Sequence, residues 1–202
     1  ILLGALAGSA VAFAVPAAAQ ELTVYCAVQE EWCRPMVAAF EKETGIKVNM
    51  TRKSSGEIYA QIKAESANPK GDIWWGGTGD PHMQAAEEGL TVEYKSPKMA
   101  ELQDWAVRQW EQSKGRAIGI YSGALGFAFN TKQIAQKGVA EPKCWADLLN
   151  PKLKDEVQVA DPNSSGTSYA MLATMVQLKG ENDGFDYLKK LHKNINQYTK
   201  SG

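Results

Sequence analysis

The stretch ELTVYCAV (21–28) alternates and carries β-branched residues, which predicts a first strand. In EEWCRPMVAAFEKETG (30–45) the period changes. Trp32, Met36, Val37 and Phe40 recur at helical spacing, Glu30 and Glu31 favour the N-terminus, and Gly45 is a good stop. IKVNMT (46–51) reads as a second strand, KSSGE (53–57) as a loop, and EIYAQIKAESAN (57–68) as a second amphipathic helix ending before Pro69. GDIWWGG (71–77) is a short apolar strand running into a glycine-rich turn. DPHMQAAEEG (80–89) is a short helix with Pro81 in its first turn. Strand and helix alternate three times, which predicts a parallel sheet covered by helices on both faces.

Beyond residue 96 the pattern is less regular. PKMAELQDWAVRQWEQSKG (97–115) is helical in part, and RAIGIYSGALGFAFNTK (116–132) reads as two strand-like runs around Ser122-Gly123. IAQKG is a short helix, and CWADLLNPKLKDEVQVADP passes through a helix, a loop and another strand. SGTSYAMLATMVQLKG (165–180) and GFDYLKKLHKNI (184–195) are helices, and NQYTKSG is a strand-like turn. No internal repeat interrupts this order, and the expectation is α/β throughout.

Composition narrows the class. The 202 residues are 44% hydrophobic with a formal charge of −1, which suits a globular chain. Such a balance gives no basic footprint for nucleic acid. The first twenty residues, ILLGALAGSAVAFAVPAAAQ, carry no charge and end in Ala17-Ala18-Ala19 before Gln20. That pattern predicts a secretory signal peptide cut after Ala19, entered part-way because no initiator Met or basic segment precedes it. The competing reading is a buried N-terminal helix. Export would permit disulfides. Of three cysteines, Cys26 and Cys33 are close enough for a local bridge that leaves Cys144 over; three independent buried thiols are the alternative. Zinc fits poorly, since no Cys-x-x-Cys pair exists and the two histidines lie far apart.

Candidate chemistry sits in four loops that follow predicted strands: 26–29, 53–56, 76–80 and 163–167. In open α/β sheets ligands bind outside the carboxyl ends of the strands, where helix N-termini point. A helix start leaves backbone N–H groups without internal partners, glycine allows close approach, and Ser or Thr adds a short donor. Together with the helix dipole these features make an anion site. The opposing reading is that Ser, Thr and Asn before a helix are ordinary N-caps worth about 1 kcal/mol each. What favours a ligand is the recurrence of such loops, each carrying more small polar residues than one cap requires.

Other chemistries find less support. No Gly-x-x-x-x-Gly-Lys-Ser/Thr and no Gly-x-Ser-x-Gly occurs, and GGTGD lacks dinucleotide spacing. A hydrolase or transferase needs a nucleophile with a base in reach, and no such pairing is visible. His82 is expected to serve surface or helix packing, and His192 to be solvated among lysines. Trp74 and Trp75, adjacent on a strand, point to opposite faces, one into the core and one toward a cleft. Trp32, Trp105, Trp110 and Trp145 are expected in the core. Tyr121 stands where the chain leaves the first α/β unit.

The segments LTVYCAVQEEWCRPMVAAFEKETGIKV, GDIWWGGTGD, GIYSGALGFAFNTK and VQVADPNSSGTSYAML resemble the periplasmic substrate-binding proteins of ABC importers. Within them, the similarity is to the cluster that binds ferric ion and phosphorylated solutes. It implies a two-lobed α/β fold of type II topology, with a leader at 1–19, a first lobe at 20–122 and an incomplete second lobe at 123–202. The return to lobe one would lie beyond Gly202. It also implies a receptor rather than an enzyme, closing on a small anionic solute and handing it to a permease in the inner membrane. A monomer without a cofactor or resident metal is expected. Carried over by position, the cleft residues are Gln29, Ser54, Ser55, Thr78, Gly79, Asp80, Ser122, Asn163, Ser164, Ser165, Gly166 and Thr167. One departure bears on the ligand. Iron-binding members often place a His after the first strand, where this chain has Cys26-Ala27-Val28-Gln29, and their tyrosine pair would lie beyond Gly202. Neutral hydroxyls and amides suit phosphate or carboxylate oxygens better than Fe(III), so ferric iron bound with a synergistic anion is the alternative.

Overall fold

The computed structural model describes residues 21–201, so the predicted leader and its cleavage point lie outside the described residues. Among the described residues, five strands and seven α-helices follow one another in an α/β order. Strand β1 (Glu21–Cys26) is the centre of a parallel sheet of order β2-β1-β3, with β2 at Lys47–Arg52 and β3 at Ile73–Trp75. Tyr25 stands opposite Thr51 on one side and Trp74 on the other. A central strand is flanked on both edges and covered on both faces, and Val24, Tyr25 and Cys26 are accordingly buried in succession.

The helices that cover this sheet start and stop where the local chemistry requires. Helix α1 (Glu30–Thr44) ends at Gly45, whose φ of 72° is the left-handed conformation that glycine adopts without strain. Helix α2 (Ser55–Ala64) opens on a box in which the Ser54 hydroxyl and amide both donate to Glu57 Oε2, at 2.8 and 3.2 Å. It ends four residues short of the predicted 57–68 span, the rest being turn. Helix α3 spans Gly79–Glu87 and α4 spans Asp104–Gln112. The two sides of the sheet pack separately: Tyr25, Ala27 and Ile58 with Trp74, and Cys26, Val28 and Cys33 with Trp75. Adjacent tryptophans do face opposite sides.

The cysteine question resolves in favour of the bridge. Cys26 and Cys33 are disulfide-linked with Cα atoms 6.4 Å apart, and Cys144 is free and exposed. The bond ties the end of β1 to the first turn of α1. It also explains why Trp32 is not core: Cys33 points at the sheet, and its neighbour, about 100° round the helix, is turned away and is 52% exposed.

The second sheet is a parallel pair, β4 (Val157–Ala160) with β5 (Ile195–Thr199). The connection between them is helix α6 (Gly166–Lys179) and helix α7 (Glu181–His192), packed against each other. Met175, Tyr187, Leu191 and Leu148 form their core, with Phe127 and Trp145 alongside. Short helix α5 (Thr131–Gln136) and two 3-10 turns, Trp145–Leu149 and Pro151–Leu153, complete this unit. The predicted strands in 116–132 do not form: residues 117–130 carry no strand. A strand exists only through a ladder with a neighbour, and among the described residues none pairs with this segment. Ile120, Tyr121 and Phe129 along it are exposed.

Candidate functional site

The carboxyl ends of β1, β2, β3 and β4 each feed a helix start, as the sequence predicted, and three of these starts meet. The amide of Gly56, in the first turn of α2, donates to Ser164 O at 2.9 Å, in the loop before α6. A side chain at Gly56 would collide with Asn163 O and approach Ser164 O to 2.9 Å. At the start of α6, a Cβ on Gly166 would collide with Thr78 Oγ1 and stand 3.1 Å from Ser55 Oγ. Ser55 Oγ in turn occupies the place that a Cβ on Gly77 would take. Glycines at 56, 77 and 166 thus let the α2, α3 and α6 starts touch through bare backbone and hydroxyls. Their dipoles converge on one region, where negative charge is favoured.

Within this meeting point most hydroxyls act locally. Ser54 is held by Glu57, whose carboxyl is pulled below its ordinary range chiefly by the Ser54 hydroxyl and then by the Ser54 amide. Ser165, buried, accepts from Ser168 N at 3.4 Å. Ser164 Oγ donates to Lys200 O at 2.7 Å, and Asn163 donates through its amide and side chain to Asp161 Oδ1. The cap reading therefore accounts for Ser54 and Ser165. Thr78 differs. It is the N-cap of α3 yet makes no cap bond, and its Oγ1 is buried without a hydrogen-bond partner. A buried hydroxyl left unpaired is costly and calls for a reason. Asp80 and Thr167 are exposed, and Gly79 is half-buried.

Gln29 and Ser122 are both exposed, and no side-chain hydrogen bond ties them to the three starts among the described residues. Tyr121, next to Ser122, is the residue of this segment that is tied to the loop before α3. Its hydroxyl accepts from Gly77 N at 2.7 Å and donates to Gly77 O at 3.0 Å. Trp32 meets its ring edge-on at 5.7 Å, and Trp75 lies 6.3 Å away. Burial pushes the Tyr121 phenol above its ordinary pKa, so it stays a neutral donor. Gly76 and Gly77, with φ of 79° and 93°, hold a backbone that other residues strain to adopt.

His82 packs within the same loop. Its ring stacks on Trp74 at 3.7 Å and its Nε2 donates to Gly76 O at 2.8 Å. Burial lowers its pKa, partly opposed by the Gly76 carbonyl, so the ring is neutral. Among the described residues no group of three His, Cys, Asp or Glu is placed to hold a metal ion.

Beside the three starts opens a groove of about 790 Å³. Gly56, Gly79, Asn163 and Gly166 line it from the helix-start side, and Trp105 and Arg108 line it from α4. Sequence reading did not single out Arg108, and placed Trp105 in the core. Their only signal was the i, i+3 spacing that puts both on one helix face.

Parallel sheets with helix starts gathered at their carboxyl ends are common to open α/β folds that bind ligands there, and the chain belongs to the bacterial extracellular solute-binding proteins, whose family model matches residues 68–202. Among solved structures, periplasmic binding protein AfuA from Actinobacillus pleuropneumoniae, with exogenous fructose-6-phosphate bound, is 42% identical with a TM-score of 0.84; the match covers 92% of this chain and 58% of that one. A Haemophilus influenzae protein is 48% identical over 183 residues, 90% of this chain and 53% of its own length. The Fe(3+)-binding periplasmic protein of Serratia marcescens is 26% identical over 180 residues, 89% of this chain and 51% of its own. The chain spans about half the length of the curated relatives it matches. The architecture is that of the type II periplasmic binding proteins.

Proposed function

We propose that the chain is part of a periplasmic receptor of an ABC import system. It takes a small anionic, phosphorylated solute into a cleft between a lobe at 20–122 and a lobe at 123–202, as a monomer and without a cofactor, and delivers it to an inner-membrane permease. The observation that carries this reading is the meeting of the α2, α3 and α6 starts around glycine and an unpartnered Thr78 hydroxyl. Phosphate oxygens accept from backbone amides and hydroxyls and gain from converging helix dipoles. The likeness to a protein holding fructose-6-phosphate supports the same class. Binding without turnover is the corresponding chemistry: relatives of known name are binding proteins.

The test uses the product of the whole reading frame. Fructose-6-phosphate and inorganic phosphate, each in thermal-shift titration, are expected to raise the melting temperature, because a ligand that binds only the folded state stabilises it by mass action. A rise with ferric citrate alone, together with a visible charge-transfer band, would transfer the assignment to the iron alternative. Release of phosphate from the sugar phosphate by pure protein would make it an enzyme.

A further inference from the structure

The loop before α3 is held in a way that helix capping does not explain. Gly76 and Gly77 both have positive φ, and neither carries a side chain that could fix the loop in place. The hold comes from Tyr121, far along the chain. Its hydroxyl accepts from Gly77 N at 2.7 Å and donates to Gly77 O at 3.0 Å, so both backbone groups of one glycine rest on one oxygen. The phenol ring is fixed in turn. Trp32 meets it edge-on at 5.7 Å, Trp75 lies 6.3 Å away, and a Cβ on Gly76 would stand 3.6 Å from Tyr121 Cε1. Trp32 is exposed and adds nothing to a core; the bridge at its neighbour Cys33 sets the helix rotation that holds it against Tyr121.

A peptide group is planar and trans, so its C=O and N–H point in opposite directions. Anchoring Gly77 O on Tyr121 therefore aims the Thr78 N–H away from the phenol. That amide forms no hydrogen bond with another described residue, and Thr78 Oγ1 is buried without a partner. Both donors sit at the N-terminal end of α3, where the dipole favours negative charge. Two successive glycines left unclamped would lose this aim, and ordering them on binding would weaken affinity. We infer that Tyr121 is a positioning residue for the solute: by clamping Gly77 it preorganises the Thr78 amide and hydroxyl toward the anion, without itself touching the anion. This rests on the reading that an anion is held at the α3 start.

Calorimetric titration of the whole reading-frame product with inorganic phosphate tests the clamp. Tyr121→Phe keeps the ring and removes both hydrogen bonds. It should weaken phosphate by about tenfold, the size of one lost good donor. Independent losses in Tyr121→Phe and Thr78→Val would multiply to roughly a hundredfold; acting through Thr78, Tyr121→Phe should add less than about threefold to Thr78→Val. With nitrogen-labelled threonine, the Thr78 amide resonance should shift on phosphate saturation in the wild type and shift less far in Tyr121→Phe, a difference that a mere loss of stability would not produce. Phosphate bound equally by the wild type and Tyr121→Phe would overturn the inference and leave the anion reading standing. A loss of about a hundredfold in the double variant, or an equal Thr78 shift in both proteins, would cut the link to Thr78 and overturn it too. Should Tyr121→Phe fail to fold, Trp32→Ala, at an exposed position, decides: a loss of about threefold supports the clamp, and an unchanged affinity rejects it. If phosphate does not bind the wild type, the anion reading fails and this inference falls with it.

Discussion

The start of α6 and the start of α3 are made of similar residues and end in different states. At α6, the hydroxyls of Ser164, Ser165 and Ser168 all find partners in their own neighbourhood. At α3, Thr78 is equally well placed to cap its helix, yet its hydroxyl is buried beside Gly166 with no partner. Composition would rank the α6 loop as the richer ligand site. Geometry reverses the order: small polar residues before a helix are first of all caps, and the group left over for a guest is the one that local bonding does not claim.

A third start, that of α1, is held covalently and sets the upper end of the scale. Cys33→Ser should lower stability by about 2–3 kcal/mol, as expected for a short disulfide loop. Urea midpoints with and without reductant check it: the variant should lose its sensitivity to reductant, provided Cys144 stays unbridged. Next comes the contact between starts. Gly56→Ala places a methyl against the Asn163 carbonyl, which is backbone and yields little, so a loss of about 1–3 kcal/mol is expected from overpacking. A change within experimental error would mean that the α2 and α6 starts are not in contact in solution. The caps follow. Ser54→Ala and Ser165→Ala should each reduce stability by about 1 kcal/mol and leave solute affinity within a factor of about two. A strong affinity loss in Ser165→Ala would show that its hydroxyl serves the ligand and would erase the contrast with Thr78.

A pH effect tests the other side of the α3 loop. His82 has a folded pKa lowered from the ordinary 6.5 by burial. As pH falls through 6.5 the unfolded chain takes up the proton first, so stability decreases with acidification until the lowered folded value is passed. The slope is at most about 1.4 kcal/mol per pH unit for one proton. Chemical denaturation between pH 7.5 and 5.5 should show this slope in the wild type, and His82→Gln, whose amide can still donate toward Gly76 O, should flatten it. An unchanged slope would assign the acid sensitivity to other groups.

What was legible in the sequence was local. Period switching located the helices and strands of the first sheet, Gly45 marked a stop, and the spacing of Cys26 and Cys33 allowed their bridge. What was not legible depended on distant partners. The apolar runs in 116–132 look like strands, but a strand needs a neighbour, and the alternation cannot say whether one is present. Trp32 looked like core because its spacing fits the helix period; the bridge at Cys33 fixed the helix rotation that turns it outward. That helix starts would gather at the strand ends followed from the α/β order, but which of them touch did not. The glycines that allow it, 56, 77 and 166, resemble any loop glycine until the facing carbonyl or hydroxyl is seen. Tyr121 was marked only by its place where the chain leaves the first α/β unit, and Arg108 only by its spacing from Trp105, since a phenol beside Ser-Gly and an arginine on a polar helix are ordinary residues.

Thr78→Val puts the central idea to its most direct test. The substitution keeps the shape and removes only the hydroxyl that lacks a partner. An unpaired buried group is a penalty to the free fold, so stability should stay level or rise by up to about 1 kcal/mol. Affinity for inorganic phosphate and for fructose-6-phosphate should nevertheless fall by about tenfold, as a donor to the anion is lost. Stability held and both affinities reduced is the predicted result. A variant that binds both anions as tightly as the wild type would contradict the claim that the converging helix starts hold the solute.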